Sequence, residues 1–214
     1  MKNDCIEEFT MGDRTLRIFQ DTDPMNPRED WDNPDTMVCI HGRYNLGDHK
    51  TTADEQAIIR EAGSWEKAQK RLLAYYRAKR NPIVKILPLF LYDHGGITMS
   101  TGSFSDRWDS GQVGFIFATR SQVKECFMLG DDAFSAETLE RVENNLKSGV
   151  AVYDQYLRGD VYGYQVSVTK HCDSCGHDEE DVIDSCWGFF GHNWEENGIF
   201  DSAGWESKQL VTEK

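Results

Sequence analysis

The chain has 214 residues, 39% of them hydrophobic and 28% charged, with a formal net charge of −14. That balance is ordinary for a globular protein and excludes fibrous, low-complexity and disulfide-framework classes. The longest apolar run, Ile86–Tyr92, contains Pro88 and is too short to span a bilayer, so no membrane association is expected.

In chain order, Thr15–Phe19 predicts a short strand. Asp21–Asp35 carries three prolines and five Asp, which predicts an extended loop. Thr36–His41 reads as a strand and Asn45–His49 as a turn. Behind Thr52 and Asp54, the positions Ile58, Ala62, Trp65, Gln69, Leu72 and Tyr76 follow a helical period. Gly63-Ser64 is placed to break or kink that helix, and Asn81-Pro82 to end it. Ile83–Tyr92 predicts a buried strand, His94-Gly95-Gly96 a turn, Ile97–Ser100 its antiparallel return and Gln112–Ala118 a further strand. Ser121–Phe127 predicts a short helix. Ser135–Leu157 predicts a long amphipathic one, with Leu139, Val142, Leu146, Val150, Tyr153 and Leu157 on one face. Ser135 with Thr138 is its expected cap. Tyr162–Thr169 and Val182–Phe189 alternate as the arms of a hairpin with a Cys/His-rich tip at 170–181, and the last twenty residues read as a weakly ordered tail. The expectation is a single α+β domain, 1–214, with a mainly antiparallel sheet and two or three helices packed on it.

Three groups of residues have a pattern that suits chemistry or binding. At the hairpin tip, Cys172-x-x-Cys175 has the spacing of a zinc knuckle. Cys186, His192 or His177 would complete a tetrahedral structural zinc site. The alternative is a hairpin with reduced surface cysteines, with Cys186 in the core. The Asp21–Asp35 run has the oxygens for Ca²⁺ or Mg²⁺, but its prolines break the alternation of a calcium loop and no glycine takes the turn position. A solvated acidic loop is the simpler reading.

The third group is the glycine-rich stretch Tyr92–Phe117, with Asp93, His94, Asp106 and Asp109. These could serve as an acid–base pair or hydrolytic metal site. Ser110 lacks the nucleophile-elbow context, and a lone histidine beside glycines more often hydrogen-bonds a turn. Trp31 with Asp32, and Trp108 with Asp106 and Asp109, pair a large ring with carboxylates. That combination suits a basic protein partner. Cys39 and His41 are read as core residues of one strand and not as a dyad.

The charge layout points the same way. Arg60–Lys85 holds eight Lys/Arg against two Glu, whereas His171–Glu206 holds ten Asp/Glu and no Lys or Arg. The acidic remainder repels nucleic acid and attracts basic protein surfaces. The basic helix face, with Lys67, Lys70, Arg71, Arg77, Lys79 and Arg80, is either a solvated face or a phosphate contact. The acidic opening segment MKNDCIEEFTMGD lacks the apolar core of a signal peptide, so a cytoplasmic location is expected.

Three blocks, 21–48 (DTDPMNPREDWDNPDTMVCIHGRYNLGD), 91–117 (LYDHGGITMSTGSFSDRWDSGQVGFIF) and 153–164 with 184–191 (YDQYLRGDVYGY, DSCWGFFG), together resemble a family of uncharacterised accessory proteins of tailed bacteriophages. The resemblance implies action in the cytoplasm of an infected bacterial host and carries no catalytic residue over. The sequence therefore predicts a non-enzymatic accessory protein that binds and modulates a host protein, a defence or nucleic-acid-processing factor. Two alternatives stand beside it: a small metal-dependent hydrolase using carboxylates of the 21–35 and 93–109 loops, and a zinc-stabilised nucleic-acid-binding protein. The 21–35 and 93–111 loops are expected to lie side by side and form the partner-binding surface, with Asp93 and His94 alongside Trp31, Asp32, Asp106, Trp108 and Asp109.

Overall fold

In the computed structural model, residues 5–128, 134–171 and 174–205 are described. They form helices and antiparallel strands, an α+β fold dominated by sheet. The strands divide between two four-stranded sheets. The chain itself divides into two compact units, Met1–Met25 with Gly159–Lys214, and Asn26–Arg158.

The 26–158 unit is built around β6 (Ser110–Thr119), which pairs with β3 (Thr36–Cys39) on one side and β4 (Ile83–Asp93) on the other. β5 (Ile97–Ser100) completes the order β3-β6-β4-β5. Side chains alternate across a strand, so Phe115 and Phe117 face one layer while Ile116 and Ala118 face the other. Both layers are covered, which is why β6 reads as a continuous apolar run.

On the Phe115/Phe117 face lie α1 (Ala53–Ala62) and α2 (Trp65–Ala78), packing Ile59, Ala62, Ala68 and Leu72 against Val38. They are two helices, so of the break or kink expected at Gly63-Ser64 the structure has the break. Gly63 closes α1 at φ +73°, where a side chain would be strained, and Ser64 Oγ accepts from the Lys67 backbone N–H at 3.3 Å to open α2. On the other face α4 (Ala136–Arg158) buries Val142, Leu146, Val150 and Tyr153 against Met37, Leu89, Leu91, Met99 and Ile116. Ser135 caps it, its Oγ accepting from the Thr138 backbone N–H at 3.1 Å. Leu139, expected on the buried stripe, is exposed because it lies in the first turn, ahead of the covered region. A short helix, α3 (Arg120–Phe127), follows β6 directly and carries a full capping box between Thr119 and Gln122.

The second unit has the order β1-β2-β7-β8, with β1 (Cys5–Met11), β2 (Arg14–Gln20), β7 (Val161–His171) and β8 (Asp178–Phe190). The hairpin predicted at 162–169 and 182–189 is present and longer. Its strands run into the segment 170–181 expected to be tip, and Asp178–Asp181 are paired β8 residues. β1 is an additional strand, largely exposed at a sheet edge, so it lacks the apolar alternation that marks a half-buried strand.

The expected weakly ordered tail is also different as far as residue 205. Trp194, Ile199, Phe200 and Trp205 are buried against Leu16, Ile18, Tyr164 and Val166, with one helical turn, α5 (Ile199–Ser202). Trp194 Nε1–H donates to Glu7 Oε2 at 2.9 Å, and the Phe9 and Phe200 rings meet edge-on at 5.3 Å. The segment is short and aperiodic, and it gains its order from the apolar sheet face it covers. Residues 206–214 lie outside the described residues.

Candidate functional site

Two regions of the 26–158 unit hold the residues singled out in the sequence. The first is the loop between β5 and β6. Its base is closed by the Asp93 backbone N–H donating to the Asp109 carbonyl at 2.8 Å. His94 Nδ1 lies 2.8 Å from Asp109 Oδ2. Tyr92 stacks near His94 and Phe104, at 6.1 and 5.7 Å between ring centroids. At the tip the Trp108 backbone N–H donates to Asp106 Oδ1 at 2.8 Å, and the Ser110 hydroxyl donates to the Asp106 carbonyl. Asp106 therefore builds a local turn that its own side chain completes.

The Trp108 ring at that turn is 96% exposed. A folded chain seldom leaves its largest side chain in water while ordering the backbone beneath it. The carboxylates differ in their freedom. Asp93 is engaged by the Arg43 guanidinium and by the Tyr44 hydroxyl at 3.3 Å, so it serves internal structure. Asp106 and Asp109 flank the ring, with exposed Arg107 between them. The His94–Asp109 contact has the form of a base with its orienting carboxylate, but Ser110 Oγ is directed to the Asp106 carbonyl and gives that pair no nucleophile.

The second region is a cleft of about 870 Å³ lined from 28–36, 48–55, Tyr76 and α3. Its floor is a buried ion cluster. Arg28, its side chain 1% exposed, donates from Nε and Nη2 to the two oxygens of Asp48 at 2.8 and 2.9 Å, and from Nη1 to Asp35 Oδ1 at 2.9 Å. Asp48 also accepts from the Met37 backbone N–H at 2.8 Å, which ties the cluster to the start of β3. Burial alone would lower the Arg28 pKa. The hydrogen bonds to Asp48 and the fields of both carboxylates outweigh it and hold the guanidinium above its ordinary value. Burial raises the Asp35 carboxyl, and Arg28 offsets that only in part.

Above the floor, Glu55 in the first turn of α1 accepts from the Tyr76 hydroxyl at 2.7 Å. Burial, then this bond, raises the Tyr76 pKa. Trp31 stands at the rim, 43% exposed, beside exposed Asp32. The sequence did not single out Arg28, Asp48 or Glu55, and it placed Tyr76 on the helical stripe rather than in this cleft. The one legible signal is Arg28 itself, a single cation in a run of carboxylates.

The 26–35 and 93–111 segments do not lie side by side. Loop 26–35 enters the sheet where Thr36 pairs with Phe117, whereas loop 101–109 enters β6 at Ser110. Seven residues of strand, about 23 Å, separate those points. Trp31 with Asp32 and Trp108 with Asp109 therefore belong to different surfaces, and the carboxylates of the two loops do not converge on one ion.

In the other unit, Cys175 and His177 are exposed at the hairpin tip, and Cys172 lies outside the described residues. Cys186 is mid-strand opposite Tyr164, and His192 follows the end of β8. From Asp178 to Cys186 the strand advances eight residues, about 26 Å, so neither Cys186 nor His192 reaches an ion held at the tip. Cys186 is also exposed, which corrects the alternative that it sits in the core. Among the described residues, no three His, Cys, Asp or Glu side chains converge as metal ligands, and no helix is long and apolar enough to cross a membrane. Compared with known proteins, the chain matches no family model, no curated protein and no solved structure.

Proposed function

We propose that this is a non-enzymatic binding protein that engages a basic protein surface through the Trp108 loop. The observation that carries this reading is the 96% exposure of Trp108 on a turn already shaped by Asp106 and Asp109. An indole has only two side-chain torsions to fix on docking, and burying such a ring anchors many interfaces. Asp106 and Asp109 supply carboxylates for Arg or Lys on the partner, and the net charge of −14 steers the encounter. In keeping with the resemblance to phage accessory proteins, the partner is a host defence or nucleic-acid-processing factor met in the bacterial cytoplasm.

Trp108→Ala tests the reading. The ring buries almost nothing in the folded chain, so its loss should leave the melting temperature unchanged. Removing an interface anchor of this kind costs about 2–4 kcal/mol of binding, roughly 30- to 1,000-fold. Capture from a lysate of the bacterial host should retain a stoichiometric protein with the wild type and lose it with the variant. Equal capture by both would place the partner surface elsewhere.

A further inference from the structure

The cleft is a second binding surface, independent of the Trp108 loop. We infer that it is a guanidinium-recognition pocket that takes an arginine side chain, free or carried on an extended peptide segment, between Trp31 and the carboxylate of Glu55.

Four observations carry this. The cleft holds about 870 Å³, enough for an arginine together with flanking backbone. Its lining has Glu29, Asp32, Asp35, Asp48, Glu55 and Glu125 against the single cation Arg28. Asp35 and Asp48 are held by Arg28 and Glu29 by Lys50, which leaves Asp32, Glu55 and Glu125 lining the space without an ion pair among the described residues.

The third observation concerns Glu55, whose residue is only 7% exposed. Its Oε1 takes the Tyr76 hydroxyl, while Oε2 accepts no hydrogen bond from the other described residues. Glu55 Oε2 is not among the buried side-chain atoms left without a partner, so it keeps contact with solvent and is open to a donor. Glu55 lines the cleft, so a ligand bearing N–H groups can bond that oxygen.

The fourth is the aromatic content, with Trp31 at the rim and Tyr76 within. A guanidinium is planar, stacks on such rings and donates from a fixed fork to carboxylates. An ammonium matches only the charge. A metal ion is the poorer fit because it needs several oxygens converging within coordination distance, and no three acidic, His or Cys groups converge among the described residues.

The test is titration of the intact protein, followed by backbone amide NMR and calorimetry, with three probes: argininamide, acetyl-Gly-Arg-Gly-amide, and the same peptide with citrulline, which is neutral and nearly isosteric. Shifts are expected at Thr36, Thr51 and Gln122, and citrulline should bind at least about tenfold more weakly, the factor set by one charge-assisted bond. Equal affinity for argininamide and the arginine peptide identifies a small guanidine as ligand; tighter peptide binding identifies a protein segment. Glu55→Gln keeps an acceptor for Tyr76 and should weaken the arginine probes about tenfold. Should that variant melt lower, Glu125→Gln on the exposed side of the cleft repeats the test, with the same direction expected. Trp108→Ala should leave binding unchanged, which separates this pocket from the loop. Equal binding of citrulline, no cleft shifts up to about 10 mM argininamide, or unchanged affinity in both Glu variants would overturn the assignment.

Discussion

Replacing Arg28 by Met tests whether the cleft floor is held by the buried ion cluster. Met keeps most of the apolar stem and removes the guanidinium, so it deletes three hydrogen bonds of 2.8–2.9 Å and leaves Asp35 and Asp48 facing each other without a cation. Both side chains are largely withdrawn from water, at 5% and 13% exposure. Breaking a buried pair from one side costs about 3–5 kcal/mol, because the remaining charge is neither solvated nor paired. For a unit of this size, that corresponds to a fall in melting temperature of roughly 10 °C or more.

The pH dependence supplies a second check. Arg28 is what opposes the burial-driven rise of Asp35, so its removal raises the folded-state pKa of that carboxyl further. A group whose folded pKa is raised above its unfolded value binds protons preferentially in the native state. Acidification therefore relieves the variant's defect. The stability gap between Arg28→Met and wild type should be widest near neutral pH and narrow as pH falls through the raised Asp35 pKa. Chemical denaturation followed by far-UV circular dichroism at about pH 7.5 and about pH 5 measures both gaps. A loss below about 1 kcal/mol, or a gap that widens on acidification, would refute the role given to the cluster.

Two further outcomes are expected. At Gly114 an added Cβ would sit 2.0 Å from the Val38 carbonyl oxygen and 2.9 Å from Cys39 Cα, both backbone, so Gly114→Ala must push β3 off β6. A loss of about 3–4 kcal/mol is expected from lost ladder bonds and disturbed packing, and thermal melts unchanged within a few degrees would contradict it. Cys39 is buried and its thiol is pushed up to about 12 by desolvation, whereas Cys5, Cys126, Cys175 and Cys186 are exposed. Iodoacetamide on native protein followed by peptide mass mapping should label those four and spare Cys39 until the chain is unfolded. Labelling of Cys39 at the rate of Cys126 would show that its strand is not closed.

What the sequence alone determined is local or periodic. Gly63-Ser64 marks the break between α1 and α2 because left-handed backbone and an N-cap are demands on single residues. The stripe Val142, Leu146, Val150, Tyr153 marks the buried face of α4, and the β4, β6 and β7 runs mark strands, because each pattern repeats with the period of its element. The tertiary structure decided whatever depends on partners distant in the chain. β1 is held by pairing with β2, and Trp194–Trp205 by the sheet face it covers, so neither has a periodic signature. Arg28, Asp35 and Asp48 become one cluster only when loop and turn meet at the start of β3, and Glu55 finds Tyr76 only when α1 packs on α2. Trp108 and Trp194 are the same residue type beside similar carboxylates, yet one is 96% exposed and the other 9%. Exposure is a property of what the rest of the chain covers, and no local pattern encodes it.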